Sequence, residues 1–319
     1  MKIPVLVLLA LLVPGSIPAA EPEWVAPGVE LIRGEYTPGQ QPDGNSVLLQ
    51  APQGLILVDT GRHAAHTQRV LDRARALDRP IRAVVNTHWH LDHVGGNPRV
   101  RAAFPSVRVY ASAAIDAALD GFLADYRRQL EAALARGADA PATQAWRDEI
   151  ALIDAGPALR PDVTITASGA RRLAGRRLQL HLQAHSVTAG DVWLFDPSTR
   201  VLIAGDLVTL PVPFLDTACP TRWAAALDDL ARQPFTRLVP GHGAPLDRAQ
   251  FDVYRRAYGE LVTCAASATA KQTCIDLWLD SAAPLLDAAA RTQAPPLLDY
   301  YLDRVLRGDA GRIAALCAG

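Results

Sequence analysis

The segment THWHLDH, residues 87–93, places three of the chain's eight histidines and one aspartate within seven positions. It directly follows RAVVN (82–86), an apolar run that predicts a buried strand. Loops at strand ends are where a rigid sheet presents functional groups. A packed core has no use for so many ionisable side chains, because each would be buried at a cost of a few kcal/mol without a partner. The segment therefore predicts a metal site at the end of this strand.

The spacing within the segment favours two adjacent ions over one. In extended backbone, residues two apart point the same way, so His88 and His90 can face one ion while Trp89 points elsewhere. Asp92 and His93 follow a turn and can face a second point nearby.

Further ligand-type residues lie along the chain in comparable places. His185, Asp206 and His242 each come shortly after a predicted strand or in a turn. Asp59 ends another predicted strand, LILVD (55–59). Lone histidines such as His63 are more simply explained as surface or core groups, although TGRH places His63 near the predicted site.

Five motifs occur in order between about residues 45 and 245: VDTG, THWHLDH, AHSVTAGD, AGDL and VPGHG. In this series the chain resembles the metallo-β-lactamase superfamily of hydrolases. Alternating strands and helices alone predict an α/β fold. The resemblance implies an αββα sandwich, in which two mixed sheets pack face to face, helices lie outside and the metals lie at one edge.

The resemblance also implies a ligand set: His88, His90 and His185 for a first ion, Asp92, His93 and His242 for a second, and Asp206 bridging both. Asp59 resembles the acid that orients such ligands from outside. One motif departs from the family pattern, because AHSVTAGD is two residues longer than GHTxGD. His181 is the rival ligand; we favour His185, because His181 lies within a strand pattern.

Imidazole and carboxylate ligands without thiolate suit zinc, although they could hold iron or manganese. The diiron branch of the family has Glu where this chain has His90, so we expect two Zn²⁺ per chain. Zinc lowers the pKa of water to about 7, and we expect a metal-bridging hydroxide to attack the substrate while Asp92 passes a proton to the leaving group.

The expected substrate is an ester, lactone, thioester or amide of a small molecule. Asp206 resembles the glyoxalase II-like and lactonase-like branches, whereas true metallo-β-lactamases usually have Cys or Ser there. A β-lactamase is the alternative enzyme, and a non-catalytic metal-binding or accessory protein is the alternative of another class. The net charge of −1 argues against a nucleic-acid partner.

The N-terminal residues 1–20 have the layout of a secretory signal peptide, with Lys2 before an apolar run and small residues after Pro14. The run is too short for a stable membrane span, so we expect a periplasmic or secreted protein. An uncleaved anchor or a buried helix is the alternative. Cysteines pair in such oxidising compartments, and we expect Cys264 to pair with Cys274 and Cys219 with Cys317.

We expect residues 21–319 to form one domain, with a helical insert at about 112–155 and a helical C-terminal extension at about 247–319. The insert is expected to overhang the site, where Tyr126 and Trp146 could line a pocket or could only pack the insert onto the sheet. The C-terminal helices, with Tyr301, are expected to be structural cover. The sequence leaves the oligomeric state open.

Overall fold

The computed structural model describes residues 23–36, 40–137 and 139–318, and these contain two β-sheets. The strands of the first sheet are neighbours in chain order: β1 (Glu23–Ala26), β2 (Val29–Ile32), β3 (Ser46–Ala51), β4 (Gly54–Val58), β5 (Ile81–Val85), β6 (Arg108–Ala111) and β7 (Val163–Thr164). The second sheet contains β8 (Gly169–Leu173), β9 (Arg176–Ala184), β10 (Gly190–Asp196), β11 (Val201–Thr209) and β12 (Arg237–His242), in the order β12-β11-β10-β9-β8. Both sheets are mixed: β4, β5, β6 and β7 pair in parallel in the first, as do β11 and β12 in the second.

The two sheets pack against each other through alternate residues of their strands. Val47 and Ile56 from the first sheet share one apolar cluster with Leu180 and Val192 from the second. The intervening residue Leu48 lies in a separate cluster beneath helices on the outer face of the first sheet. Because β3 and β4 are covered on both faces, they read as continuous apolar runs. The expected α/β sandwich of two mixed sheets is confirmed.

Twelve α-helices lie in the described part of the chain: α1 (Ala64–Ala76), α2 (Leu91–Val94), α3 (Asn97–Ala103), α4 (Ala114–Asp120), α5 (Phe122–Arg136), α6 (Ala140–Asp154), α7 (Gly156–Leu159), α8 (Pro220–Ala231), α9 (Arg248–Ala265), α10 (Lys271–Ser281), α11 (Ala288–Tyr301) and α12 (Ala310–Cys317). A 3₁₀ turn at Ala283–Leu285 and a π-helical turn at Leu302–Leu306 complete the helical structure. Helices α4 to α6 occupy the expected insert and pack against Trp89 and Leu91. Helices α9 to α11 pack against the second sheet.

The structure differs from the sequence prediction in several strands. Strands β1, β2 and β8 were not predicted, and β7 is only two residues long. Asp206 was expected shortly after a strand or in a turn, but β11 continues to Thr209, so Asp206 lies within this strand. The continuation is irregular, because Gly205 has a positive φ and the register with β12 shifts on both sides of it.

The structure joins Cys264 to Cys274 and Cys219 to Cys317, the same pairs that the sequence suggested. The first disulfide connects α9 with α10, and the second ties α12 to the start of α8. No helix among the described residues is both long enough and apolar enough to span a bilayer. The expected signal peptide, residues 1–20, lies outside the described residues.

Candidate metal centre

Six ligand-type side chains converge at one edge of the sandwich in two groups, each with its ligand atoms within 4.8 Å of one another. The first group comprises His88, His90 and Asp206, and the second comprises Asp92, His93 and His242. In the first group, Nε2 of His88 lies 2.8 Å from Nδ1 of His90 and 3.6 Å from Oδ2 of Asp206. The two imidazoles therefore face the same point, as their spacing predicts.

Asp206 also reaches the second group with its other oxygen. Its Oδ1 lies 3.2 Å from Nε2 of His93 and 3.6 Å from Nε2 of His242. Within that group, Oδ2 of Asp92 lies 2.9 Å from Nε2 of His242. One oxygen of Asp206 thus faces each group, which is the arrangement of a carboxylate that bridges two ions.

The secondary structure explains how distant residues meet here. His88 and His90 lie in the bend between β5 and α2, and Asp92 and His93 lie in α2 itself. Asp206 lies within β11, and His242 ends the parallel neighbour β12. The carboxyl ends of parallel strands meet at one edge of a sheet, which is where α/β proteins bind ligands.

Asp59, at the end of β4, orients two of the histidines. Its Oδ2 accepts a hydrogen bond from Nδ1 of His93 at 2.7 Å and another from Oγ1 of Thr87 at 2.7 Å. Because the only hydroxyl proton of Thr87 goes to Asp59, Thr87 must accept from Nδ1 of His88, which lies 3.0 Å away. Both imidazoles then carry their proton on Nδ1, and Nε2 is left as the ligand atom.

Thr217 orients the third histidine, and the sequence did not indicate it. Its Oγ1 donates to the carbonyl oxygen of Val187 at 2.8 Å, so it must accept from Nε2 of His90 at 3.0 Å. This hydrogen bond leaves Nδ1 of His90 free to bind an ion. Thr217 lies 127 positions from His90, and a lone threonine carries no spacing signal that could have revealed it.

The electrostatics of the cluster favour a bound cation. Burial alone would lower the pKa of His93, but the charges of Asp206, Asp92 and Asp59 raise it well above the usual range. Burial would raise the pKa of Asp206, yet His93 and His242 hold it at about 2. The carboxylates are thus ionised, while burial keeps His90 neutral by lowering its pKa to about 3. The negative charge that raises the pKa of His93 favours a cation at its Nε2, and a metal ion bound there would take the place of the second ring proton.

Two buried atoms at the centre of the cluster have no hydrogen-bond partner. They are Nε2 of His93 and Oδ1 of Asp206, which lie 3.2 Å apart. Buried polar atoms are almost always partnered, and a bound ion accounts for such exceptions. The donor set contains only imidazole and carboxylate, so the residues present fit zinc or a similar divalent ion.

The structure does not bring His185 to either group. His185 follows β9 with a positive φ, is half-buried, and directs Nδ1 to the carbonyl oxygen of Leu316 in α12 at 3.2 Å. Its rival His181 lies in β9 and stacks on Trp193 with ring centroids 3.7 Å apart. Among the described residues, the first group therefore holds two imidazoles and not the three that the resemblance implied.

A buried arginine links the cluster to the insert. Arg62 places Nη2 3.4 Å from Oδ1 of Asp92 and Nη1 2.5 Å from Oε2 of Glu149 on α6. All three side chains are less than one tenth exposed. The sequence analysis missed Arg62 and Glu149, although Arg62 lies within the TGRH segment that follows Asp59.

A cavity of about 770 Å³ opens beside the cluster, bordered by His90, Asp92, Asp206 and His242. The insert overhangs it as expected, and Tyr126 lines it. Trp146 is not among its lining residues and packs within the apolar cluster of the insert. Tyr301, expected only as structural cover, also lines the cavity.

The fold and the cluster define a candidate metal centre at the edge of an αββα sandwich, in which Asp206 lies between two groups of ligand-type side chains. The family model of the metallo-beta-lactamase superfamily matches residues 40–242, more than half of the chain. The chain belongs to this superfamily, whose members bind divalent metals, typically zinc, and are generally hydrolases.

Individual proteins resemble this chain either at low sequence identity or over a short segment. The chain is 29% identical over 220 residues to a linear primary-alkylsulfatase from Pseudomonas sp., covering 62% of this chain and 41% of the relative. It is 44% identical over 48 residues to a hydroxyacylglutathione hydrolase from Thermosynechococcus vestitus, covering 15% of this chain and 19% of the relative. The chain thus spans less than half the length of either relative. A solved metallo-beta-lactamase from Pontibacter korlensis has a TM-score of 0.54 at 23% identity, covering 73% of this chain and 95% of that one, which indicates a shared fold.

Proposed function

We propose that this protein is an exported dinuclear zinc hydrolase that cleaves an ester, lactone, thioester or amide bond of a small molecule. The observation that carries the proposal is the placement of Asp206, with one carboxylate oxygen at each group of ligand atoms. In the proposed ligand set, His88 and His90 join Asp206 at the first ion, and Asp92, His93 and His242 join it at the second. His185 is left out, because its side chain faces α12.

When bound, zinc supplies hydroxide near neutral pH and polarises the scissile bond. Residues of the chain orient the side chains that would bind the ions. Asp59, Thr87 and Thr217 fix the imidazole tautomers, so that three ring nitrogens present lone pairs without reorganisation. Most of the candidate ligands are buried, and their removal from water strengthens their electrostatic interactions.

We propose that Asp92 passes a proton to the leaving group. Its carboxylate lies at the cavity wall, between His242 on one side and Arg62 on the other. The substitution Asp92→Asn keeps the shape but removes the ability to accept and return a proton. We expect it to lower kcat at least tenfold in protein that retains both ions, and full activity in that state would eliminate this role.

Two features favour export. Both proposed disulfide pairs are joined, which is characteristic of proteins in oxidising compartments. The N-terminal residues also have the composition of a signal peptide. Export disfavours a cytoplasmic glutathione thioester as the natural substrate.

Sulfate-ester hydrolysis is the second candidate reaction. It is favoured by the similarity to the linear primary-alkylsulfatase, which extends over 62% of this chain. A β-lactamase is less favoured, because Asp206 occupies the position where such enzymes usually have Cys or Ser, and the solved β-lactamases support only the fold. A non-catalytic metal-binding protein would have no need of a carboxylate bridging two ions beside a large cavity.

The test is a hydrolysis screen of zinc-loaded protein, with and without chelator. The panel contains aryl carboxylate esters, lactones, thioesters, amides, aryl and alkyl sulfates, and β-lactams. Asp206→Ala is the matched variant, because it removes one ligand from each group and should abolish turnover of whichever substrate is found. Chelator-sensitive turnover of one bond class supports the proposal. Binding of two zinc ions with no turnover in any class would favour the non-catalytic alternative.

A further inference from the structure

The cavity beside the metal centre has an apolar lining that bond cleavage by itself does not require. On one side, the insert contributes Phe122, Leu123 and Tyr126, and Trp89 lies behind them with its ring centroid 5.4 Å from that of Phe122. Phe122, Leu123 and Tyr126 belong to α5, which lies outside the two sheets. The insert thus forms an apolar wall.

A second apolar wall comes from the other end of the chain. Pro296, Leu297 and Tyr301 of α11 line the same cavity. Phe214 connects this wall to the metal centre, because its ring centroid lies 4.9 Å from that of His90 and 6.1 Å from that of Tyr301. Apolar surface therefore continues from the candidate ligands to the C-terminal extension. We call this lined space the apolar cleft.

The outer edge of the apolar cleft is unusually exposed. Five large apolar side chains stand out as exposed among the described residues: Trp24, Tyr36, Phe122, Leu297 and Tyr300. Three of them, Tyr36, Phe122 and Leu297, border the cavity. Phe122 is 42% exposed and Leu297 is 40% exposed, although both would lose water contact if a ligand lay between them and the metal centre. Clustered exposed apolar surface of this kind marks a binding groove.

Apart from the candidate metal ligands, the charged side chains that line the cavity already have partners. Arg62 is held by Glu149 and Asp92, and Asp43 is held by His63 and by backbone N–H groups. The remaining charged residues are paired in the same way: Glu35 with Arg69, and Asp216 with Tyr300 and Arg312. The described lining thus offers no unpaired cation to the carboxylates of a peptide-like substituent.

We propose that the apolar cleft binds an alkyl or acyl chain, so that the substrate is an amphiphile whose hydrolysable group lies at the metal centre. The proposal rests on the hydrolase function proposed above and deepens it, because it specifies the part of the substrate remote from the scissile bond. The cavity volume of about 770 Å³ falls within the range of sites for small molecules. Burying one methylene contributes about 0.8 kcal/mol, which corresponds to about a fourfold gain in affinity where burial is complete.

The test measures binding separately from turnover. Calorimetry on zinc-loaded protein would use the neutral, non-hydrolysable alcohols 1-hexanol, 1-heptanol, 1-octanol and 1-nonanol, each below its solubility limit. We expect the Kd to fall two- to fourfold for each added methylene and the heat capacity of binding to be negative, the marker of apolar burial. A Kd that does not change with chain length would overturn the proposal.

Variants locate the binding surface. Phe122→Ser and Leu297→Ser remove exposed side chains from the two walls, and each is expected to reduce the dependence of Kd on chain length at least twofold. Trp24→Ser is the matched control, because Trp24 is also exposed but lies in β1 and does not line the cavity. Equal chain-length dependence in all three variants and the parent would contradict binding in the apolar cleft.

The two proposals can fail independently. If binding depends on chain length but no substrate is turned over, the proposed chain-binding role of the apolar cleft is supported and the proposed hydrolase function is contradicted. If short aryl esters are turned over but Kd does not depend on chain length, the proposed hydrolase function is supported and the proposed chain-binding role of the apolar cleft is contradicted.

Discussion

His93 donates a hydrogen bond from Nδ1 to Oδ2 of Asp59 at 2.7 Å, and this contact leaves Nε2 to face the candidate metal site. The same carboxylate acts on His88 through the hydroxyl of Thr87. One buried acid that lies outside both groups of ligand atoms thus orients an imidazole in each group. The two candidate sites are therefore coupled through Asp59 as well as through Asp206.

Replacing Asp59 is expected to weaken metal binding at both sites. In Asp59→Asn, one acceptor oxygen becomes an amide donor, so His93 and Thr87 lose a shared acceptor and the preferred tautomers are no longer enforced. Loss of such an orienting partner typically weakens metal affinity about 10–100-fold. Competition with a chromophoric zinc chelator measures the change.

A control for general damage is Asp196→Asn. Asp196 is also buried and hydrogen-bonded, but its partners are Ser198, Thr199 and Arg176, none of which is a candidate ligand. Asp196→Asn should lower stability without changing zinc affinity. If both variants bound zinc as the parent does, the orienting role of Asp59 would be wrong.

Replacing His185, in contrast to replacing Asp59, is expected to leave zinc binding nearly unchanged. Because the imidazole of His185 faces the carbonyl oxygen of Leu316, we expect His185→Ala to retain two zinc ions. Its zinc affinity should stay within about threefold of the parent. This change in binding free energy is smaller than the roughly 1.4 kcal/mol that corresponds to a tenfold change in affinity. His88→Ala, which removes a member of the first group, should lose one ion. Elemental analysis after dialysis against buffered zinc gives both counts. Loss of an ion in His185→Ala would restore the ligand set implied by the family resemblance.

The ligands that the sequence placed well are those whose direction depends on local spacing. Residues two apart in extended backbone share a direction, so His88 and His90 could be paired from THWHLDH alone. Asp206 and His242 meet because β11 and β12 pair in parallel, and only the family resemblance could supply that pairing. His185 was assigned only from the resemblance, and in the structure its imidazole faces the carbonyl oxygen of Leu316 and not the candidate ligands.

Local contacts in the loop after β9 determine where the His185 side chain points. Asp191 accepts hydrogen bonds from the backbone N–H groups of Val187 and Thr188, which fixes the loop after β9. Val187 is consequently buried in the core, and its carbonyl oxygen accepts from Thr217. His185 lies at the start of this loop with a positive φ. Such backbone geometry depends on contacts between residues about 30 positions apart, which no periodicity reports.

Gly241 lies so close to Asp206 that a larger residue would not fit at this position. A Cβ at this position would overlap Oδ1 of Asp206 and come within 2.8 Å of the backbone nitrogen of Asp206. Because the backbone cannot move aside at low cost, Gly241→Ala should displace the Asp206 carboxylate. We expect the free energy of unfolding of metal-free protein to fall by about 1–3 kcal/mol and zinc affinity to fall at least tenfold.

Gly259 is the matched control for this substitution. It lies in α9, and no heavy atom would lie within 4 Å of an added Cβ. Gly259→Ala should leave zinc binding unchanged and raise the free energy of unfolding by about 0.4–1 kcal/mol, because alanine restricts the unfolded chain. Denaturant titration of both variants checks the pair. Equal effects at the two positions would mean that the close approach of Gly241 to Asp206 is not what destabilises the protein.

The ion pair of His63 with Asp43 predicts a pH dependence of stability. Its Nδ1 lies 2.9 Å from Oδ2 of Asp43, and this hydrogen bond raises the pKa of His63 above its ordinary 6.5. Burial would raise the pKa of Asp43, but hydrogen bonds from His63 and nearby backbone lower it below 3.8. The contribution of His63 is fully present below pH 6.5 and is lost as pH rises through its folded pKa, whereas that of Asp43 is lost as pH falls through its own.

The pair should therefore stabilise the protein most between about pH 4 and 6.5. His63 is about one third exposed, so solvent screening limits its contribution to about 0.2–1 kcal/mol. The measurement is the difference in free energy of unfolding between the parent and His63→Gln, taken from pH 5 to pH 9 by denaturant titration. We expect the difference to shrink as pH rises past 6.5. A constant difference over this range would show that His63 acts through neutral packing and not through its charge.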